Sequence, residues 1–172
     1  AKFYREIALL GGRFPGRSSY PGDIFYAHAK LLERAGNFTH KEKGEVAITC
    51  LPVAETVEGD ISGYISTNLM SITDGHIYFD RDLFAEGRRP AVNYFLSVTR
   101  VGRQTQTGVR WDVNRELNTF LSLLEKTKDF VHFGAELNEG IVSTISMGDK
   151  IISFFNQHMD KVIPLNVQIL LY

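Results

Sequence analysis

A single cysteine in 172 residues, Cys50, leaves no intrachain partner for a disulfide and no CxxC pair for a metal, and it fits a reducing compartment. Charge of one sign is lacking too: 19 basic residues against 20 acidic ones give a formal net charge of -1, with no block of like charge along the chain. That argues against a nucleic-acid binder that works by neutralising phosphates, and against a basic membrane-surface helix. No apolar run approaches the roughly 20 residues needed to span a bilayer. The phosphate-cradling loop GxxxxGKS/T is absent, because the glycine-containing stretch LLGGRFPGRSS carries no Gly-Lys pair. His28, His40, His76, His132 and His158 are scattered without HxH or HExxH spacing, so no metal site is expected.

What is present suits a folded core. Hydrophobic residues make up 44% of the chain and aromatics 12%, enough for one domain or one domain plus part of another. The chain opens on AKFYREIALL, an amphipathic helical pattern already under way, and closes on the apolar VQILLY, so it reads as a piece of a longer protein. In YPGDIFYAHAKLLERAGN, Ile24, His28, Leu31 and Ala35 recur on one face between a Pro21/Asp23 start and a Gly36-Asn37 stop, which predicts a helix over 21–35. His28 is then expected as a satisfied core or boundary histidine. The segments GEVAITCLPVAE, HIYFDRDLF and AVNYFLSVTRV predict strands, the first and third apolar enough to be buried on both faces of an α/β sheet. From about 107 the pattern turns helical: WDVNRELNTFLSLLEKTKDFVHF places Leu117, Leu121, Leu124 and Phe130 at helical spacing, and IVSTISMGDKIISFFNQ predicts a second helix. Trp111, at the start of the first, is expected to pack. Asp60 and Asp74 flank turns, and paired-carboxylate chemistry would require that they converge.

Long strings of this sequence resemble, in order and spacing, the alpha subunits of F-type ATP synthases. They are GRSSYPGDIFYAHAKLLERAG, LPVAETVEGDISGYISTNLMSITDGHIYFDRDLF, GRRPAVNYFLSVTRVG and HFGAEL. Secretion-system ATPases share LLERAG and DGHI, but YISTNLMSITDG and SVTRVG are similar to alpha. The resemblance implies an α/β fold, the C-terminal part of a RecA-like nucleotide-binding domain over residues 1–106, followed over 107–172 by the start of an all-helical domain. It also implies a non-catalytic, regulatory subunit of a proton-translocating complex. ATP or ADP with Mg2+ would bind the parent subunit, the beta and gamma subunits would be its hetero-oligomeric partners, and its place would be peripheral, on the cytoplasmic face of a bacterial membrane or the organellar equivalent. Without a phosphate loop the chain alone is not expected to hydrolyse ATP, and a partial sheet would tend to self-associate through its edges.

The site residues follow from the same resemblance. By itself an arginine ending an apolar strand pairs with a carboxylate or lies in solvent more often than it reaches a neighbour. The match of SVTRVG implies that Arg100 is an arginine finger, reaching from alpha into the catalytic site of the adjacent beta subunit, and that Ser71 of SITDG lies near that same site; a strand serine bonded locally is the alternative. Phe84, Arg89 and Pro90 of LFAEGRRPA, with Gln157, match the family's non-catalytic nucleotide site, and a solvated arginine in an ordinary loop is the plainer reading of the residues alone. Departures stand beside these matches. The family's KQGQ is NQHM here, so Met159 replaces a second glutamine near the adenine; Tyr94 and Phe95 replace small residues, and Thr99 a serine. The alternative function is a stand-alone interaction or assembly module derived from a RecA-like ATPase, which upstream coding sequence with a phosphate loop would remove.

Overall fold

The computed structural model describes residues 1–16, 20–56, 58–133 and 138–171. Residues 17–19 of the glycine-containing stretch and 134–137 of the HFGAEL string lie outside them. The chain is mixed α/β and divides into two units, Ala1–His76 and Ile77–Tyr172.

The first unit holds helix α1 (Lys2–Leu10), helix α2 (Ile24–Leu32), strands β1 (Gly36–His40) and β2 (Gly44–Ile48), and helix α3 (Tyr64–Ile72). The turn before α2 is tied back to α1: Tyr4 Oη donates to Asp23 Oδ2 at 2.6 Å, and Arg13 Nη1 donates to both, at 2.6 and 3.0 Å. Helix α2 is shorter than the sequence predicts, because Pro21–Asp23 form the entering turn and Glu33 ends it. Ile24 on its inner face is fully buried, whereas Leu31 is 62% exposed. Gly36, at φ 152, then opens β1 rather than a loop. Strands β1 and β2 pair antiparallel in a hairpin with Phe38 opposite Val46, closed by a turn into Gly44 at φ 72.

His28 lies at the boundary, half-buried, and its Nδ1 is buried without a hydrogen bond among the described residues. It is therefore not fully satisfied. Burial first, then the positive charges of the Ala1 amine and Arg5, push its imidazole below the ordinary value of 6.5. For a base with a depressed native pKa the unfolded chain takes up the proton first. Stability is then full above pH about 6.5 and falls as the pH drops below it. Urea unfolding between pH 7.5 and 5.5 should show this decline, and His28→Gln should flatten it.

The second unit carries strand β4 (Val92–Thr99), helix α4 (Arg81–Ala85), helix α5 (Gly108–His132), helix α6 (Glu139–Phe155) and helix α7 (Leu165–Leu171). Strand β3 (Gly75–Phe79) leads into it and pairs with β4 in a second two-stranded sheet. Helix α6 begins well for a physical reason: Asn138 caps it, accepting from the Ile141 N–H at 2.9 Å, and Glu139 sits in the first turn where the helix dipole favours an acid. The α5–α6 contact buries Leu121 and Leu124 at 3% and 2% exposure, and Gly148 lets the helices approach. Phe130 does not join them and is 65% exposed, because six positions beyond Leu124 is about 240° round the helix.

One expectation is overturned. GEVAITCLPVAE supplies only a five-residue strand, exposed throughout, and β4 is exposed or half-buried along its length, so neither is buried on both faces. The reason is topological: among the described residues each sheet has only two strands, and β1 and β2 are exposed at every position. Large apolar side chains such as Leu10 at 91%, Phe14 at 89% and Val53 at 95% are correspondingly exposed. No helix among the described residues is long and apolar enough to cross a membrane.

Candidate functional site

The site is built where β3 gives way to α4. Sequence alone reads HIYFDRDLF as one strand, yet the chain turns after Phe79 because Asp80 is a helix cap: its Oδ1 accepts from the Asp82 N–H at 2.9 Å. Its Oδ2 accepts from Asn93 Nδ2 on β4 at 2.9 Å, and its own N–H donates to the Ala91 carbonyl at 2.9 Å. The Asn93 hydrogen bond is the main reason that the Asp80 carboxyl titrates below the usual carboxylate range, with the capping N–H assisting. The capping pattern Asp80-x-Asp82 before an apolar residue was the available signal for this turn.

Helix α4 ends at Ala85 with Glu86 as its C-cap, Gly87 follows at a φ of 90 that favours glycine, and the chain doubles back to place Arg89 over α4. The Arg89 guanidinium carbon lies 3.6 Å from the Phe84 ring centroid, and Nη1 donates to the carbonyls of Phe84 at 2.8 Å and Arg88 at 2.6 Å. Such a stack presents a planar, positively charged platform. The Arg89–Pro90 peptide bond is cis. After α6 the chain returns to the same place: Gln157 N–H donates to the Arg89 carbonyl at 2.8 Å.

Phe84, Arg89, Pro90 and Gln157 thus line one cavity of about 650 Å³, and Met159, the departure noted from the sequence, lines it too. Phe79, Asp80, Arg81 and Ala91 complete its wall, and none of them was singled out from the sequence. Five of the nine lining residues are apolar, and the others bring the Asp80 carboxylate, the Arg81 and Arg89 guanidinium groups and the neutral Gln157 amide. No hydroxyl, thiol or imidazole is among the described lining residues. The cavity can stack against a planar ring and read its edge.

Arg100 lies elsewhere in the second unit, exposed at the end of β4, as the sequence predicts for a strand-end residue. The turn that presents it is tight. Thr99 Oγ1 accepts from the Gly102 N–H at 3.0 Å, and a Cβ on Gly102 would stand 2.7 Å from that oxygen. Thr99 therefore performs the turn-closing hydrogen bond through its hydroxyl. Ser71 belongs to the first unit, and it sits not on a strand but in the last turn of α3, exposed, with Oγ donating to the Thr67 carbonyl at 2.8 Å. Tyr94 is half-buried beside Arg88, whose guanidinium lies 5.9 Å from the ring. Trp111 is half-buried in the first turn of α5 with Arg103 at 5.1 Å from its ring.

Comparison with known proteins identifies the family. The model of the ATP synthase alpha/beta family, nucleotide-binding domain, matches residues 1–99. Over 170 residues the chain is 46% identical to an ATP synthase subunit alpha of Dictyoglomus turgidum, covering 99% of this chain and 33% of that protein. It is 41% identical to the corresponding subunit of Neorickettsia sennetsu, covering 98% and 33%, and 42% identical to that of Staphylococcus aureus, covering 99% and 34%. The chain spans about a third of the length of the curated relatives it matches. The α/β architecture of its first part is in keeping with the RecA-like fold of a nucleotide-binding domain. A domain match over more than half of the residues, with such identity over nearly the whole chain, places it: the chain belongs to the ATP synthase alpha/beta family.

Proposed function

We propose that this chain is the C-terminal portion of a non-catalytic, regulatory alpha subunit of an F-type proton-translocating ATP synthase. Residues 1–106 would complete its nucleotide-binding domain and 107–172 would begin its helical domain. The observation that carries the reading is the convergence of Phe84, Arg89, Pro90 and Gln157 on one cavity, from segments almost seventy residues apart. That convergence is what a base-binding pocket requires: a stacking platform and an amide at the edge of the ring. ATP or ADP would enter by its base. Arg81 and Arg89 line the cavity, but the loop amides and lysine that would cradle a triphosphate with Mg2+ are not in this sequence and would come from other parts of the subunit.

Arg100 would act in trans. Its permanent charge and planar fork suit the equatorial oxygens of a transferring phosphoryl group in an adjacent beta subunit, with Ser71 near the same site. Beta and gamma subunits would then be its partners in a hetero-oligomer peripheral to the membrane, and the exposed apolar side chains of both units would be covered by the remainder of the subunit and its neighbours.

Binding of trinitrophenyl-ATP to the complete polypeptide tests the cavity. Arg89→Ala removes both the stacked cation and its two hydrogen bonds to carbonyls, and should weaken binding by about tenfold. An unchanged affinity would remove the cavity from the account.

A further inference from the structure

The cavity depends on a contact that neither the sequence pattern nor its relatives' names point to. Helix α6 ends at Phe155, and Asn156 after it leaves the helix in an extended conformation at φ -71 and ψ 123. Its side chain then turns to the other side of the cavity: Asn156 Oδ1 accepts from the Arg89 backbone N–H at 3.0 Å, 67 residues away. The next residue completes the contact, because Gln157 N–H donates to the Arg89 carbonyl. Both backbone polar groups of half-buried Arg89 are therefore satisfied by one dipeptide. The same two bonds fix the chain that carries Gln157 and Met159.

We propose that Asn156 is a positioning residue for ligand-base recognition, a clasp that sets the Gln157 amide in register with the Arg89–Phe84 platform. This rests on the reading of the cavity as a nucleotide-base pocket. The two walls come from separate parts of the chain, one before β4 and the other after α6. Without the Asn156 bond, the Gln157 N–H is the remaining backbone tie between Arg89 and the segment after α6, and a single hydrogen bond between exposed loops opens readily. A loosened clasp costs recognition of the base edge, because an amide must be held within a few tenths of an ångström to pair with a ring. It leaves untouched whatever holds the phosphates.

The experiment compares Asn156→Ala and Asn156→Asp in the complete polypeptide, measuring affinity for ATP and for inorganic tripolyphosphate. Asn156→Ala should bind ATP about tenfold more weakly and tripolyphosphate as before. Asn156→Asp keeps an oxygen acceptor at the same position and should retain ATP affinity, although a carboxylate at a helix C-terminus lowers the stability of α6. A merely structural role predicts the reverse, the aspartate variant being the more damaged. ATP affinity unchanged in Asn156→Ala, or lost together with tripolyphosphate affinity, overturns the proposal. If the unsubstituted polypeptide binds ATP no better than tripolyphosphate, the nucleotide-base reading has failed instead. The clasp is then judged on amide exchange at Arg89: faster in Asn156→Ala supports it, and unchanged exchange overturns it.

Discussion

Replacing Arg100 by alanine, in the complete subunit assembled with its catalytic partners, should lower steady-state ATP turnover by about 10³-fold or more while leaving assembly intact. The magnitude follows from where the charge would act. A phosphoryl group in flight spreads negative charge over three oxygens, and a preorganised guanidinium in a dry interface stabilises that charge more than the ground state. Strand β4 ends at Thr99, the Thr99–Gly102 hydrogen bond closes the turn, and Arg100 in that turn is exposed. Arg100→Lys should recover little, since an ammonium lacks the planar fork. Intact assembly is expected because an exposed side chain at a turn contributes little to folding. Turnover within a few-fold of the unsubstituted complex would mean that Arg100 only decorates the surface.

The second large effect lies in the α5–α6 packing. Leu124→Ala should destabilise the helix pair by about 2–5 kcal/mol, because Leu124 is 2% exposed and its loss leaves a void. Gly148→Ala acts from the opposite side. A Cβ there would clash with both Leu124 methyls and stand 2.9 Å from Leu124 Cγ. Overpacking of about 1–3 kcal/mol then outweighs the roughly 1 kcal/mol that alanine gains over glycine inside a helix. In the Leu124→Ala background the clash is gone and the same substitution fills the void, so its sign should reverse and become stabilising. Amide exchange along α5 and α6 measures this locally, without requiring the whole polypeptide to unfold in one step. Additive effects of the two substitutions would contradict the packing.

The sequence is most legible where the physics is local. The opening helix and the long α5 and α6 follow from apolar spacing, the strand VNYFLSVT before Arg100 follows from its apolar, β-branched content, and each is present. Boundaries set by single side chains are harder to read. Asp80 converts the end of an apparent strand into α4, and Gly36 begins a strand where it reads as a stop. Helix α3 went unread because YISTNLMSI is rich in β-branched residues and has no side-chain cap at Gly63. Burial on both faces could not be read from apolar content alone, since that depends on strands and helices lying against GEVAI and not on its composition. For the cavity, the resemblance named Phe84, Arg89, Pro90 and Gln157, and the structure brings them together. Asn156 was invisible because its contact spans 67 residues and no spacing rule reaches so far.

The most direct test of the central claim, that Arg100 serves the transition state of a neighbouring site, is trapping of ADP with aluminium fluoride by the assembled complex. This complex mimics the phosphoryl group in flight, so a finger matters to it far more than to ADP alone. Arg100→Ala complexes are expected to bind Mg2+ and ADP with unchanged affinity and to fail to form the long-lived fluoroaluminate complex. Trapping by Arg100→Ala as rapid and as stable as in the unsubstituted complex would contradict it.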